Sequence, residues 1–153
     1  MTKVLVFGTF DRLHEGHLNF FKQAREAGDP SLYSGQVYLV AVVGRDSTVE
    51  RVKKKLPKQD QFERLLAVQK CGLVDEARLG NEGVSVYKVL EEVKPDIICL
   101  GYDQFAFVDR LEEKIKEMGL KSHSTSSGQV EIKKLKPYKP EIYHSSILSM
   151  LDE

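Results

Sequence analysis

Two imidazoles, His14 and His17, stand three residues apart inside Gly8-Thr9-Phe10-Asp11-Arg12-Leu13-His14-Glu15-Gly16-His17, a loop that leaves an apolar run and enters a helical pattern. At that spacing, at a helix start, both rings can face one anion. The backbone N–H groups and the dipole of the helix add a prepared anion site, and Gly8 and Gly16 let a phosphate come close to the main chain. The stretch is neither a dinucleotide-binding glycine fingerprint nor a P-loop. Two other readings stand beside the anion site: a plain strand-to-helix turn with surface histidines, and a zinc site built from Asp11, His14 and His17. The remaining histidines, His123 and His144, bring no cluster of metal ligands with them.

Further along, Arg51-Val52-Lys53-Lys54-Lys55-Leu56-Pro57-Lys58 is a basic run on a predicted loop after the second strand. Alone it reads as a solvated face; at the ligand edge of a sheet it reads as a phosphate clamp that orders over nucleotide, because like charges keep a free loop mobile. Ser145 and Ser146 open a short terminal helix, where they are either an ordinary N-cap or a hydroxyl and N–H cradle for phosphate. The chemistry these residues suit is phosphate transfer. A phosphate-monoester acceptor, with a second pKa near 6, is mostly dianionic at neutral pH and needs no general base. The task left is to hold two anions in line and to stabilise the transferring group with fixed donors, cations and Mg²⁺.

Positioning such a site requires a sheet with helices on both faces. Val4-Leu5-Val6-Phe7 is a continuous apolar run of the kind a doubly buried strand shows. The segment from His17 to Ala27, with Leu18, Phe21 and Ala24 on one face and Gly28 as its stop, predicts a helix. Val37 to Val43 is the second strand. Asp60 is an N-cap, with Glu63 three residues on, for a helix ending before Gly72. Glu76 to Leu79 is a strand, Ser85 to Val93 a helix, Asp96 to Leu100 a strand, Val108 to Met118 a helix, and Ser145 to Leu151 a closing helix. This alternation predicts a doubly wound α/β fold with a parallel sheet, in one domain spanning residues 1–153. Ligands in such folds bind at the carboxyl ends of the strands, so function belongs in the loops after Phe7, Val43 and Leu100.

The balance of 23 Lys and Arg against 23 Asp and Glu leaves no net charge in 153 residues, and with it no global basic field for nucleic acid or membrane surfaces. No apolar run reaches a membrane span, and the N-terminus carries no signal-peptide pattern. Cys71 and Cys99 lack CxxC spacing and fit reduced thiols, so a cytoplasmic location is expected.

GTFDRLHEGH resembles the G-T/S-F-D-x-x-H-x-G-H signature of the cytidylyltransferase-like nucleotidyltransferases. The likeness continues through Val43-Gly44-Arg45-Asp46, the lysine run, Arg64, Val74-Asp75-Glu76, the stretch KPDIICLGYDQ from Lys94 to Gln104, and His144-Ser145-Ser146. Within that superfamily, KPDIICLGYDQ and the YHSS ending look most like the archaeal-type FAD synthases, which transfer AMP from ATP to FMN. The glycerol-3-phosphate cytidylyltransferases, which use CTP, are the alternative. The resemblance implies a Rossmann-like fold of the HUP type and places His14 and His17 against the reacting phosphates. It implies a nucleotide-binding loop at Gly8, Thr9, Phe10, Asp11, Glu15 and Gly16, partly through backbone groups, and nucleotide contacts at Asp103, Tyr143, Ser145 and Ser146. A loop lysine such as Lys53, together with Arg64, would serve the phosphates, while Tyr102, Phe105, Phe107 and Tyr143 would supply aromatic surface for a flavin. It also implies a homodimer. A non-catalytic nucleotide-binding module is the reading from another class, and the presence of both imidazoles weighs against it.

Overall fold

The computed structural model describes residues 2–28, 37–80, 88–101, 115 and 130–135. Within them the order is β1 (Thr2–Gly8), α1 (Glu15–Gly28), β2 (Val37–Val43), α2 (Asp46–Lys53), α3 (Gln61–Lys70), β3 (Glu76–Leu79), α4 (Lys88–Val93), β4 (Ile97–Leu100) and β5 (Glu131–Lys134). The strands form one five-stranded sheet in the order β3-β2-β1-β4-β5, every neighbouring pair parallel. Order reverses between β1 and β4, where Val4 pairs with Ile97 and Val6 with Cys99. The chain thus opens a crevice beside Gly8 and Leu100, the switch point at which doubly wound sheets bind ligands.

The apolar runs are continuous because both faces of the sheet are covered. Val4 and Val6 pack with Phe21, Ala24 and Val68 on one side, whereas Leu5 packs with Val89, Leu90, Val93 and Ile115 on the other. Each such side chain contributes roughly 1.5–3 kcal/mol on burial. The expected doubly wound α/β architecture is therefore the observed one.

Several boundaries differ from expectation. Helix α1 begins at Glu15, two residues before His17. Gly28 is its last residue rather than a stop beyond it, and a Cβ there would meet Val4 Cγ2 at 2.7 Å and Val37 Cγ2 at 3.1 Å, so glycine lets the helix end rest on the sheet. The basic run is not all loop: Asp46–Lys53 is helical, and Lys54 closes it in a left-handed conformation, φ 61°, with its N–H on Glu50 O. Strand β5 was not expected. Of the predicted helix at 108–118 only Ile115 is described, helical and buried, and the predicted helix at 145–151 lies outside the described residues. Among the described residues no helix is long and apolar enough to cross a membrane. Cys71 and Cys99 are both free thiols, and burial pushes Cys99 up to about 12.

Candidate active site

The loop between β1 and α1 turns through two left-handed, non-glycine residues, Phe10 at φ 54° and Arg12 at φ 53°. Such backbone costs roughly 1–3 kcal/mol per residue and persists only where its surroundings hold it. Phe10 is the anchor. Its ring is 4% exposed and packs on Phe21 at 5.0 Å between centroids. A Cβ at Gly8 would stand 2.6 Å from the same ring, so glycine there makes room for Phe10. Phe10 therefore serves the loop through its side chain in the core, leaving only its backbone to the nucleotide role expected of it.

His14 and His17 come together as their spacing predicts, with stacked rings 3.9 Å apart, and the rings of Phe10 and His17 meet at 81° with centroids 5.6 Å apart. They also cap helix α1, with His14 just before its first residue and His17 in its first turn. The His14 carbonyl accepts the Leu18 N–H at 3.1 Å, which makes His14 the N-cap residue. Its Nδ1 accepts the Gly16 N–H at 3.0 Å, while Nδ1 of His17 accepts the His14 N–H at 3.3 Å. This is a capping box built from imidazoles instead of a hydroxyl and a carboxylate. An N–H can donate only to a ring nitrogen without a proton, so both neutral rings carry their proton on Nε2. Each ring is then fixed with one N–H donor, the form that can bond a phosphate oxygen. Burial pushes His14 below the usual histidine range, which favours this neutral form. Glu15, exposed in the first turn, complements the helix dipole.

Arg64 is brought to the loop, but not as an exposed phosphate ligand. It is 0% exposed. Its Nη1 donates to Thr9 O at 2.8 Å, Nε to Gln59 O at 3.1 Å and Nη2 to Asp46 Oδ1 at 2.7 Å. The guanidinium is thus a brace binding the loop, the α2 start and the turn before α3. Asp46 accepts the Gln61 N–H at 3.2 Å and returns its own N–H to Gln61 Oε1 at 3.0 Å, so α2 and α3 share a polar junction. A cavity of about 670 Å³ opens there, lined by Arg45, Asp46, Ser47, Asp60, Gln61 and Phe62 and by neither histidine. Asp60 caps α3 through Glu63 N–H at 2.8 Å, as expected, and that bond holds its carboxyl below the usual range.

Asp11 likewise acts within the protein, its oxygens accepting the main-chain N–H groups of Lys58 and Gln59. Among the described residues no group of three or more His, Cys, Asp or Glu is arranged to hold a metal ion, which leaves the zinc alternative without support there. Lys53 ends α2, its side chain outside the described set. Tyr102, Asp103, Phe105, Phe107, His123, Tyr143, His144, Ser145 and Ser146 lie outside the described residues. Asp46, Gln59 and Gln61 also build the site although the sequence assigned them no role; the signals were that Asp46 stands three residues past an apolar strand and within the Val43-Gly44-Arg45-Asp46 stretch of the family likeness.

Residues 5–148 match the cytidylyltransferase-like family. The chain belongs to the cytidylyltransferase-like family. A relative named FAD synthase, from Aciduliprofundum boonei, is 41% identical over 138 residues, 90% of this chain and 80% of that protein. One of the same name from Methanosarcina barkeri is 42% identical over 120 residues, 78% of each chain. Among solved structures, one titled a lipopolysaccharide core biosynthesis protein, from Thermoplasma volcanium, superposes with TM-score 0.74 at 38% identity, covering 91% of this chain and 99% of that one. A pantoate-beta-alanine ligase from Francisella tularensis shares the fold alone, with TM-score 0.56 at 14% identity, 99% of this chain and 69% of that one. In this cytidylyltransferase-like chain, His14 and His17 thus follow β1 at the switch point of the sheet, with their Nδ1 atoms engaged by the start of the helix they cap.

Proposed function

We propose that this chain is a FAD synthase that transfers AMP from ATP to FMN and releases pyrophosphate, with His14 and His17 at the reacting phosphates. The FAD synthase relatives support the reaction, and the histidine capping box carries the assignment of the site. In the transfer, an oxygen of the FMN phosphate forms the new bond to the α-phosphorus of ATP as the bond to pyrophosphate breaks. The FMN dianion needs no base. Nε2–H of each imidazole donates to oxygens of the transferring phosphoryl group, where negative charge is redistributed. The N-terminus of α1 adds its dipole, and Lys53, Lys54, Lys55 and Lys58 add positive charge toward pyrophosphate. The described residues offer no carboxylate cluster for a resident metal. Mg²⁺ belongs to this reading as a partner of the triphosphate, neutralising its charge. Gly8, Thr9, Phe10 and Gly16 line the nucleotide through the backbone, and Asp103, Tyr143, Ser145 and Ser146 complete the proposed contacts. A cytoplasmic location, a single domain and a homodimer belong to the same reading.

Isothermal titration with FMN in the presence of a non-hydrolysable ATP analogue and Mg²⁺ tests the acceptor. Saturable binding of one FMN per chain is expected. Absence of FMN binding, with binding of glycerol 3-phosphate beside a CTP analogue instead, would overturn the FAD reading and leave the family membership standing.

A further inference from the structure

A carboxylate three residues before His14 would repel a phosphate bound by the same loop unless its charge is taken up by another partner. Asp11 has one. Its Oδ2 accepts the Lys58 N–H at 2.7 Å and its Oδ1 the Gln59 N–H at 2.9 Å. The clasp is reciprocal, because Gln59 Oε1 accepts the Arg12 N–H at 3.0 Å. These bonds join segments 47 and 48 positions apart in the chain. Arg64 braces the junction from below by bonding the Gln59 and Thr9 carbonyls together. Beside the clasp, Lys54, Lys55 and Lys58 are exposed. The basic connection is consequently held to the phosphate loop by protein groups alone, in contrast to a run that orders only over nucleotide.

We propose that Asp11 is a positioning residue: its carboxylate docks the lysine-bearing connection between α2 and α3 onto the phosphate loop, so that one nucleotide meets the histidine pair and the lysines as a single preorganised surface. The proposal rests on the nucleotide-transfer reading above. Its physical content is that the entropy of ordering the connection is lost on folding rather than on binding, which lowers the KM for nucleotide and leaves the chemical step alone. Asp11 itself need not touch the substrate. Asparagine at the same position keeps the shape but turns an NH₂ donor toward one of the two N–H groups, which opens the clasp.

The test is steady-state pyrophosphate release by the full chain with MgATP and FMN. Asp11→Asn is expected to raise the KM for MgATP about tenfold, the size of one lost charge-assisted hydrogen bond, with kcat within about twofold. On a background carrying Lys54→Gln, Lys55→Gln and Lys58→Gln, the same change should move KM by less than about twofold, because the groups it positions are gone. An unchanged KM, a fall in kcat alone, or the same tenfold effect on the triple-glutamine background overturns the proposal. Amide hydrogen exchange on the unmutated chain keeps it falsifiable if Asp11→Asn does not fold. The Lys58 and Gln59 amides should exchange at least about tenfold more slowly than an unstructured peptide and slow further with a non-hydrolysable MgATP analogue. Peptide-like exchange, or no response to the analogue, overturns it. A wild-type chain that releases no pyrophosphate from ATP and FMN removes the transfer reading as well, a result distinct from all of these.

Discussion

The two ends of the sheet use polar side chains in opposite ways. At the amino end they finish strands. Asp96 Oδ2 accepts the Lys3 N–H at 2.9 Å while the Asp96 N–H returns to Lys3 O at 2.9 Å, and Lys3 Nζ closes α4 on Val93 O at 3.1 Å. Asp75 accepts the Leu39 N–H at 2.8 Å and pairs with Arg25 at 2.8 Å, tying β2 to the entry of β3 and to α1. At the carboxyl end the same residue types secure loops. Asp11, Asp46 and Arg64 hold the β1–α1 loop against the starts of α2 and α3, and the caps fix two imidazoles with a defined donor nitrogen. The lesson is that a charged residue near a site is not thereby a ligand. Its hydrogen-bond partners decide, and here the carboxylates and the buried guanidinium build the frame in which the histidines act.

If that division is right, the largest effect on turnover comes from His17→Ala. Loss of one fixed donor to the transferring phosphoryl group should cost about 10²–10³ in kcat, or about 2.7–4 kcal/mol. Its fold should survive, as circular dichroism would check. Near wild-type pyrophosphate release would place the loop on the structural side of the comparison. Arg64→Ala should instead act through stability. It leaves the Thr9 and Gln59 carbonyls and Asp46 without their partner, an expected loss of about 3 kcal/mol and roughly 6–12 °C in Tm by calorimetry. Asp75→Asn sharpens the contrast at the other end, with an expected loss of about 1 kcal/mol in denaturant unfolding and kcat/KM within about twofold of wild type.

Much of this was legible in the sequence, and for identifiable reasons. The limits of β2 and β3 and the α3 cap at Asp60 agree with the residues because apolar runs and N-caps are local signals. Strand β5 escaped because EIKK is short and charged, although Val130 and Ile132 alternate with Glu131 and Lys133 as a partly exposed edge strand does. Helix α2 escaped because DSTVERVK runs into lysines that read as loop. The meeting of His14 with His17 was readable from their spacing. Arg64 as a buried brace and Asp11 as a clasp were not, since each depends on partners tens of residues away. Nor was the helix start, because histidine is no standard N-cap.

The smallest predicted effect is on pH. With His14 held below the ordinary value of about 6.5, the stability that its neutral form contributes is fully present above that pH. It is lost as the pH falls through the lowered folded-state value. Long-range ¹⁵N–¹H NMR should find both rings as Nε2–H tautomers and His14 titrating below about 6.5. A ring protonated at Nδ1 near neutral pH would break the capping box.

The most direct test of the whole account is pyrophosphate release by the purified chain, measured side by side with ATP and FMN and with CTP and glycerol 3-phosphate, each with Mg²⁺. The account predicts turnover with ATP and FMN, FAD as the product, and a fall of about 10²–10³ in the His17→Ala chain. Turnover on CTP and glycerol 3-phosphate with none on FMN, or FAD formation undiminished by His17→Ala, would contradict it.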